Sequence, residues 1–314
     1  MYTYKAAIII PTRGGASKLH FPLSALENQS EKDFQVIVVC DGDIDGSEQV
    51  VNLYRERGIL NITSIVFPEN QGRSKALNAG HLAADAHVLI RCDDDLEPQE
   101  DFVAQHVQYH SGEQEVGVIG LVRNIYPDNA YARAYGYYRD KKFREEAYSS
   151  EKNKYWNFWN ANASLTTKMF NLVGGYDESY RLYGWEDVDM GYKMYKAGAE
   201  IILAPELESN HHIAATTTAG RAIRALYSGA ARSTFVKKHG TEALSAPNPQ
   251  GIWGRAVKGV AVLITEKTIT VLGKSIDAIA DSIPPTVAEK LISLLVEASA
   301  YAGINYPSRA KKVF

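Results

Sequence analysis

Only two cysteines, Cys40 and Cys92, occur in the 314 residues, and both fall inside apolar runs that read as strands. A disulfide scaffold and a four-cysteine zinc site are therefore excluded, and a reducing, cytoplasmic compartment is expected. Charge of one sign is also missing: the formal net charge is −3, so no global basic field recommends nucleic acid as a partner. No long apolar run is present. The opening MYTYKAAIIIPT offers only five uninterrupted apolar residues before Pro11, too short for a signal-peptide core. The run GVAVLIT near Val260 is far too short to span a bilayer. Neither does a GxGxxG follow the first apolar run, which disfavours a plain dinucleotide-binding dehydrogenase. No repeat or low-complexity tract is found.

What is present is a chain 45% hydrophobic and 23% charged, enough to bury a full core. Its first half alternates β-like runs with helical stretches: AAIII before PLSALENQ, FQVIVVC before EQVVNLYRERG, ITSIVF before SKALNAGHLAA, and HVLI before QEDFVAQHVQYH. Four such units predict a mostly parallel sheet flanked by helices, Rossmann-like in layering. Ligands of such sheets collect at the carboxyl ends of the strands. Those ends carry Thr12 and Arg13, then Asp41, Asp43 and Asp45, then Asp93, Asp94 and Asp95.

Three adjacent carboxylates repel by roughly 1 kcal/mol per pair at about 4 Å in water, and by about 4 kcal/mol at an effective dielectric near 20. A magnesium or manganese ion with its hard-oxygen preference would relieve that cost. A solvated loop, or an N-cap for the helix after Pro98, is the competing structural reading. A second acidic group, Glu186, Asp187 and Asp189, follows Trp185 in YGWEDVDMGYKMYKAG, where the apolar spacing predicts a helix from Asp187 that stops at Gly198. Carboxylates suit a helix N-terminus whatever else they do. Residues 126–159 are rich in aromatics with weak periodicity and read as an insertion or lid. Tyr155, Trp156, Phe158 and Trp159 suit either a core or the apolar face of a sugar. Residues 216–314 read as a helical C-terminal extension, with 1–215 as the catalytic domain. That tail offers self-packing, a homodimer, or peripheral contact with the inner face of a membrane.

The segments IIIPTRGG, VVCDGDIDGS, NQGRSKALNAG, RCDDDLEP, NASLTTKMFNLVGGYDES and YGWEDVDMGYKMYKAG occur in order and spacing that resemble the family 2 glycosyltransferases with the GT-A fold. The resemblance covers roughly residues 6–213. It implies an inverting, metal-dependent transfer of a sugar from a nucleotide-diphosphate donor, foremost a UDP-sugar, to a hydroxyl of a carbohydrate or lipid-linked acceptor, as in polysaccharide biosynthesis. On the matching motifs, Thr12, Arg13, Asp41, Asn70, Arg73, Lys75, Asp93 and Asp94 are assigned to the donor. Asp95 and His211 are assigned to Mn2+ or Mg2+, with His212 in reserve. Asp187 becomes the general base and Glu186 its catalytic neighbour on the acceptor, with Trp185, Trp159 and Asn162 also facing the acceptor. The pattern departs at Leu77, Cys40 and Lys193, where the family often carries Arg, Asp and Arg. Phosphate contact then passes to Arg73 or Lys75. Two rivals stand beside this reading: an inactive glycosyltransferase-like binding subunit, and a sugar-nucleotide nucleotidyltransferase, although the GxGxRxxPxT start expected of the latter is missing.

Overall fold

The computed structural model describes residues 2–181, 183–212, 214–244 and 247–311. The chain forms two compact units, one of Met1–Asn124, Arg144–Glu178 and Glu186–His212, the other of Ile125–Phe143, Ser179–Trp185 and Ile213–Phe314.

The first unit is built on strands β1 (Tyr4–Thr12), β2 (Phe34–Asp41), β3 (Ile62–Phe67), β4 (Ala86–Cys92), β5 (Leu96–Glu97), β6 (Val116–Ile119), β7 (Val122–Asn124), β8 (Asn162–Thr166), β9 (Glu200–Leu203) and β10 (Ser209–His211). The expected parallel pairs are present: β1 with β2 and β4, and β2 with β3. Seven strands lie in the order β3-β2-β1-β4-β8-β6-β9, and β8 alone runs against its neighbours β4 and β6. All eight residues of β2 are buried, as expected of a central parallel strand covered on both faces. The chain moves outward from β1 to β3 and returns to place β4 on the other side of β1, so a crevice opens at the carboxyl ends of β1 and β4.

Helices α1 (His20–Glu27), α2 (Ser47–Glu56), α3 (Arg73–Leu82) and α4 (Phe102–Tyr109) follow the first four long strands. Helix α3 packs close because Gly80 has no side chain; a Cβ there would lie 2.6 Å from Ile9 Cγ2. In the aromatic stretch, α5 (Tyr137–Tyr148) forms where the sequence suggested only an irregular insertion, followed by a 3-10 turn at Lys152–Phe158. Helix α6 (Thr167–Val173) is capped by Thr166 Oγ1, which accepts from Met169 N–H. Helix α7 (Glu186–Lys196) begins one residue earlier than its apolar spacing implies. A small sheet, β5-β10-β7, completes the unit.

The second unit contains α8 (Thr218–His239), α9 (Gly251–Leu263), α10 (Glu266–Ile279) and α11 (Pro285–Asn305). Gly229 and Gly303 let α8 and α11 approach closely, since a Cβ on either would lie 2.3 Å or less from a backbone carbonyl of the facing helix. The boundary near residue 215 needs correction: Ile125–Phe143 and Ser179–Trp185 cluster with the tail. The reason is apolar area. Tyr131 and Tyr135, 2% and 4% exposed, belong to the same core as Leu226, Ile269, Ile292 and Leu295, with Tyr126 and Tyr183 packed against it.

Behind β8, His106 Nδ1 and His110 Nε2 both bond Ser164 Oγ, each at 2.8 Å. Burial lowers these histidines to about 3 and about 4. They fold neutral, so the stability they contribute is complete above about 6.5 and is lost as pH falls through that window, because only the unfolded chain takes up the proton. Glu186 and Asp94, both raised, act in the opposite sense over part of the range. His106 is therefore isolated by difference. His106→Gln should be less stable than wild type at pH 7, and the gap should narrow by roughly 1.4 kcal/mol per pH unit below about 6.5. Urea midpoints at pH 7 and pH 5 measure this, and a constant gap would refute it.

Candidate active site

Three loops at the carboxyl edge of the sheet bring the acids together, and two of them, Asp93 and Asp187, share a partner. Asp41, at the end of β2, is 4% exposed and accepts from the backbone N–H of Gln71 at 2.5 Å and of Gly72 at 2.9 Å. Its carboxylate thus holds the loop that leads into α3, and Arg13 Nη1 donates to its carbonyl at 2.9 Å. In that loop Asn70 Oδ1 and Ser74 Oγ are buried with no hydrogen-bond partner, while Lys75 Nζ donates to Gln71 Oε1. A buried, unpaired acceptor and hydroxyl at a helix start are groups that a bound ligand can satisfy.

Asp94, 6% exposed, is clipped to β1. Thr12 Oγ1 donates to it at 2.6 Å and Lys18 Nζ sits 2.9 Å away. Burial raises its carboxyl to about 6 against the pull of Lys18 and Thr12. Gly15 closes the clip, since a Cβ there would lie 1.9 Å from Thr12 Oγ1 and 2.7 Å from Asp94 Oδ2.

Asp93 and Asp187 share one arginine. Arg91, 1% exposed in β4, meets Asp93 with Nε at 2.7 Å and Nη2 at 3.1 Å, and bonds Asp187 through Nη1. Burial alone would lower the guanidinium, but Asp187 and Asp93 more than offset it. Asp187 keeps 17% of its side chain exposed, and burial raises it while Arg91 pulls it down. Glu186 is 3% exposed; burial, and then the charge of Asp187, raise it to about 7. Its Oε2 has no partner, and Oε1 lies 3.8 Å from Arg73.

The third acid of the run, Asp95, faces His211: Oδ2 to Nε2 is 3.3 Å. His211 Nδ1 lies 2.6 Å from Asn124 Oδ1, which can only accept, so Nδ1 carries a proton and Nε2 is the nitrogen turned to Asp95. Burial would raise Asp95, but the bond and charge of His211 hold it below the ordinary carboxylate range. His212 is turned to Glu97 at 2.8 Å and stacks on Phe21, away from this pair. Among the described residues no three or more His, Cys, Asp or Glu side chains form a ready metal cage. A carboxylate and an imidazole with its second nitrogen already held suit a cation whose remaining ligands come from water and phosphate.

Two residues expected at the acceptor are interior. Trp159 is 2% exposed and donates to Tyr176 OH, while Asn162, 0% exposed, donates to Leu207 O at 2.7 Å and Ser209 Oγ at 3.1 Å. Asn162 is used up in tying β8 to Leu207 and β10, and Trp159 in its bond to Tyr176. Trp185 lies in the helical unit, where Nε1 donates to Ser228 Oγ at 3.1 Å and the ring packs on Phe235. It holds φ at 73°, a strained value for a tryptophan, immediately before Glu186 in the chain. Sequence reasoning missed Arg91 and Lys18. The signal for Arg91 was available: in a strand it shares a face with Asp93, two residues on.

With this geometry in view, the glycosyl transferase family 2 pattern matches residues 7–173, and a pattern described as the N-terminal domain of galactosyltransferase matches 141–216. Validoxylamine A glucosyltransferase from Streptomyces hygroscopicus subsp. jinggangensis is 28% identical over 228 residues, 64% of this chain and 53% of that protein. The uncharacterized glycosyltransferase YfnE of Bacillus subtilis is 26% identical over 262 residues, 66% of this chain and 64% of that protein. The chain thus spans about half to two thirds of the length of these curated relatives. In fold, it resembles a mannosyltransferase from Pyrobaculum calidifontis, solved with GDP-Man and Mn2+, at TM-score 0.66 and 18% identity, covering 98% of this chain and 88% of that one. Residues 1–349 of S. aureus TarS align at TM-score 0.54 and 14% identity, covering 95% and 90%.

Proposed function

Because the chain belongs to glycosyl transferase family 2 and is a glycosyltransferase, we propose that it is an inverting, metal-dependent enzyme taking a sugar from a nucleotide-diphosphate donor to an acceptor hydroxyl. The observation that carries this is the linkage of Asp93 through Arg91 to Asp187 beside the Asp95–His211 pair. An acidic donor edge and a candidate base thus share one buried cation. Direct displacement forms a bond from the acceptor oxygen to the anomeric carbon as the bond to the diphosphate breaks, and Asp187 takes the hydroxyl proton. Its part-exposed carboxylate is oriented by Arg91, whose charge favours the ionised form against the larger upward pull of burial. Glu186 stands beside it with an unpaired oxygen for an acceptor hydroxyl. Thr12, Arg13, Asp41 and Asn70 shape the nucleotide loop, with Arg73 and Lys75 at the start of α3 for phosphate. When bound, the divalent cation neutralises the leaving diphosphate as a Lewis acid.

Relatives of the same fold support the donor class: the mannosyltransferase was solved with GDP-Man and Mn2+, and TarS with UDP-GlcNAc. The two thiols are buried, and burial raises Cys40 to about 12, so neither is a ready nucleophile for the reaction. Among the described residues no helix is long and apolar enough to cross a membrane.

The test combines binding and turnover. UDP with Mn2+ should raise the melting temperature, GDP less so. Asp95→Ala and His211→Ala should abolish the metal-dependent part of that rise and of transfer while the proteins stay folded. Full turnover in excess chelator would remove the metal from the reading. An absence of turnover with every donor, alongside intact nucleotide binding, would favour the binding-subunit alternative.

A further inference from the structure

Helices α9 and α10 each leave several large apolar side chains exposed. The residues that α9 turns inward are small, Gly254, Val257 and Ala261, whereas Ile252 and Leu263 are 79% and 69% exposed and Val262 57%. At 100° per residue, Ile252, Ala256, Gly259 and Leu263 form one outward stripe. Helix α10 repeats the arrangement: Ile269 and Gly273 are buried, while Val271, Leu272 and Ile279 are 58%, 42% and 46% exposed. Single exposed apolar residues need no explanation, but two consecutive helices presenting their larger apolar residues outward do.

The charges on the same helices are sorted. The cations Arg255, Lys258, Lys267 and Lys274 lie on or beside the outward faces, and among the described residues none is in an ion pair; Lys258 Nζ donates to the side-chain Oδ1 of Asn248. Both acids are committed elsewhere. Glu266 accepts from Lys311 N–H at 3.0 Å, and Asp277 accepts from Thr218 at the start of α8. On their own residues the outward faces therefore combine exposed aliphatics with positive charge; Glu297 of α11 sits beside α9, accepting from Trp253 Nε1 at 2.8 Å. A second copy of the chain would oppose like charges on such a face. An anionic bilayer satisfies both properties, its headgroups meeting the cations and its acyl boundary the aliphatics. At 13 and 14 residues the two helices are each about 20 Å long, suited to lying in the interface and too short to cross it.

We propose that α9 and α10 form a docking face for the surface of an anionic lipid membrane. The proposal does not depend on the catalytic reading, and its test needs no turnover. Full-length protein is sedimented with vesicles of equal parts phosphatidylglycerol and phosphatidylcholine, and with vesicles of phosphatidylcholine alone. Binding to the anionic vesicles should be at least about tenfold stronger and should fall steeply with added salt. Leu263→Glu and, separately, the pair Lys267→Glu and Lys274→Glu should each weaken it about tenfold or more. Both are surface changes that should leave the melting temperature and donor turnover in lipid-free buffer unchanged. Failure to sediment with anionic vesicles, equal binding by the variants, or a dimer in solution that Leu263→Glu abolishes would overturn the proposal, the last by naming a second copy as the occupant.

Discussion

Asp187→Asn should lower kcat by roughly 10²- to 10⁴-fold with little change in nucleotide affinity. A positioned general base contributes about that much, and its removal acts on the transition state rather than on donor binding. The structure sharpens the expectation. Asp187 is the part-exposed member of the pair it forms with buried Glu186, and Arg91 fixes one of its oxygens. Asparagine keeps the shape and loses the proton acceptor. The change should also lower the Glu186 carboxyl, since part of its upward displacement comes from the charge of Asp187. Steady-state transfer assays alongside nucleotide titrations measure the split. Turnover within about threefold of wild type would move the base to Glu186.

Arg91→Met should affect both folding and rate. It leaves the carboxylates of Asp93 and Asp187 at the sheet edge without the cation they share, and breaking a buried pair by removing one partner costs about 3–5 kcal/mol. The two acids keep 14% and 17% of their side chains exposed, so the loss should fall at the low end of that range. In the fraction that remains folded, kcat should drop about as far as in Asp187→Asn, because a carboxylate without its anchor is neither oriented nor reliably ionised. Arg91→Lys should recover stability better than rate: one ammonium keeps the charge but cannot grip Asp93 with two nitrogens and Asp187 with a third. Urea denaturation and the double variant with Asp187→Asn test this. If Arg91 acts through Asp187, the two effects on kcat will not add. Additive losses, or a stable and active Arg91→Met protein, would contradict the role given to it.

Three of the four parallel strands were legible because a strand buried on both faces must be apolar almost throughout, and AAIII, FQVIVVC and HVLI have no other use for such runs. The places where acids gather were legible for a related reason. Charge at the end of a buried strand is expensive, so it stands out from its neighbours. Less visible was the division of labour within RCDDDLEP. Adjacent residues differ only in direction along a turning backbone, and that turn sends Asp93 to Arg91, Asp94 to Thr12 and Lys18, and Asp95 to His211.

The two histidines show the same limit. His211 and His212 have identical chemistry, and His212 directly follows the last residue of β10. Only the pairing of His211 opposite Leu96 decides which imidazole meets Asp95 and which meets Glu97. Trp159 and Asn162 erred in the other direction. Aromatic and amide side chains serve a core or a ligand equally well; the order β4-β8-β6 put Asn162 inside, and Trp159 is buried against Tyr176.

The sequence by itself determined the class of fold, the family, and the strand ends at which chemistry would sit, because periodicity and the cost of buried charge are local and can be read along one dimension. Tertiary structure alone decided which acid meets which cation, that tyrosines from residues 126–135 complete the core of the helical unit, and that Ile252, Leu263, Val271 and Ile279 of α9 and α10 face outward. Those outcomes depend on residues far apart in the chain, which linear spacing cannot bring together.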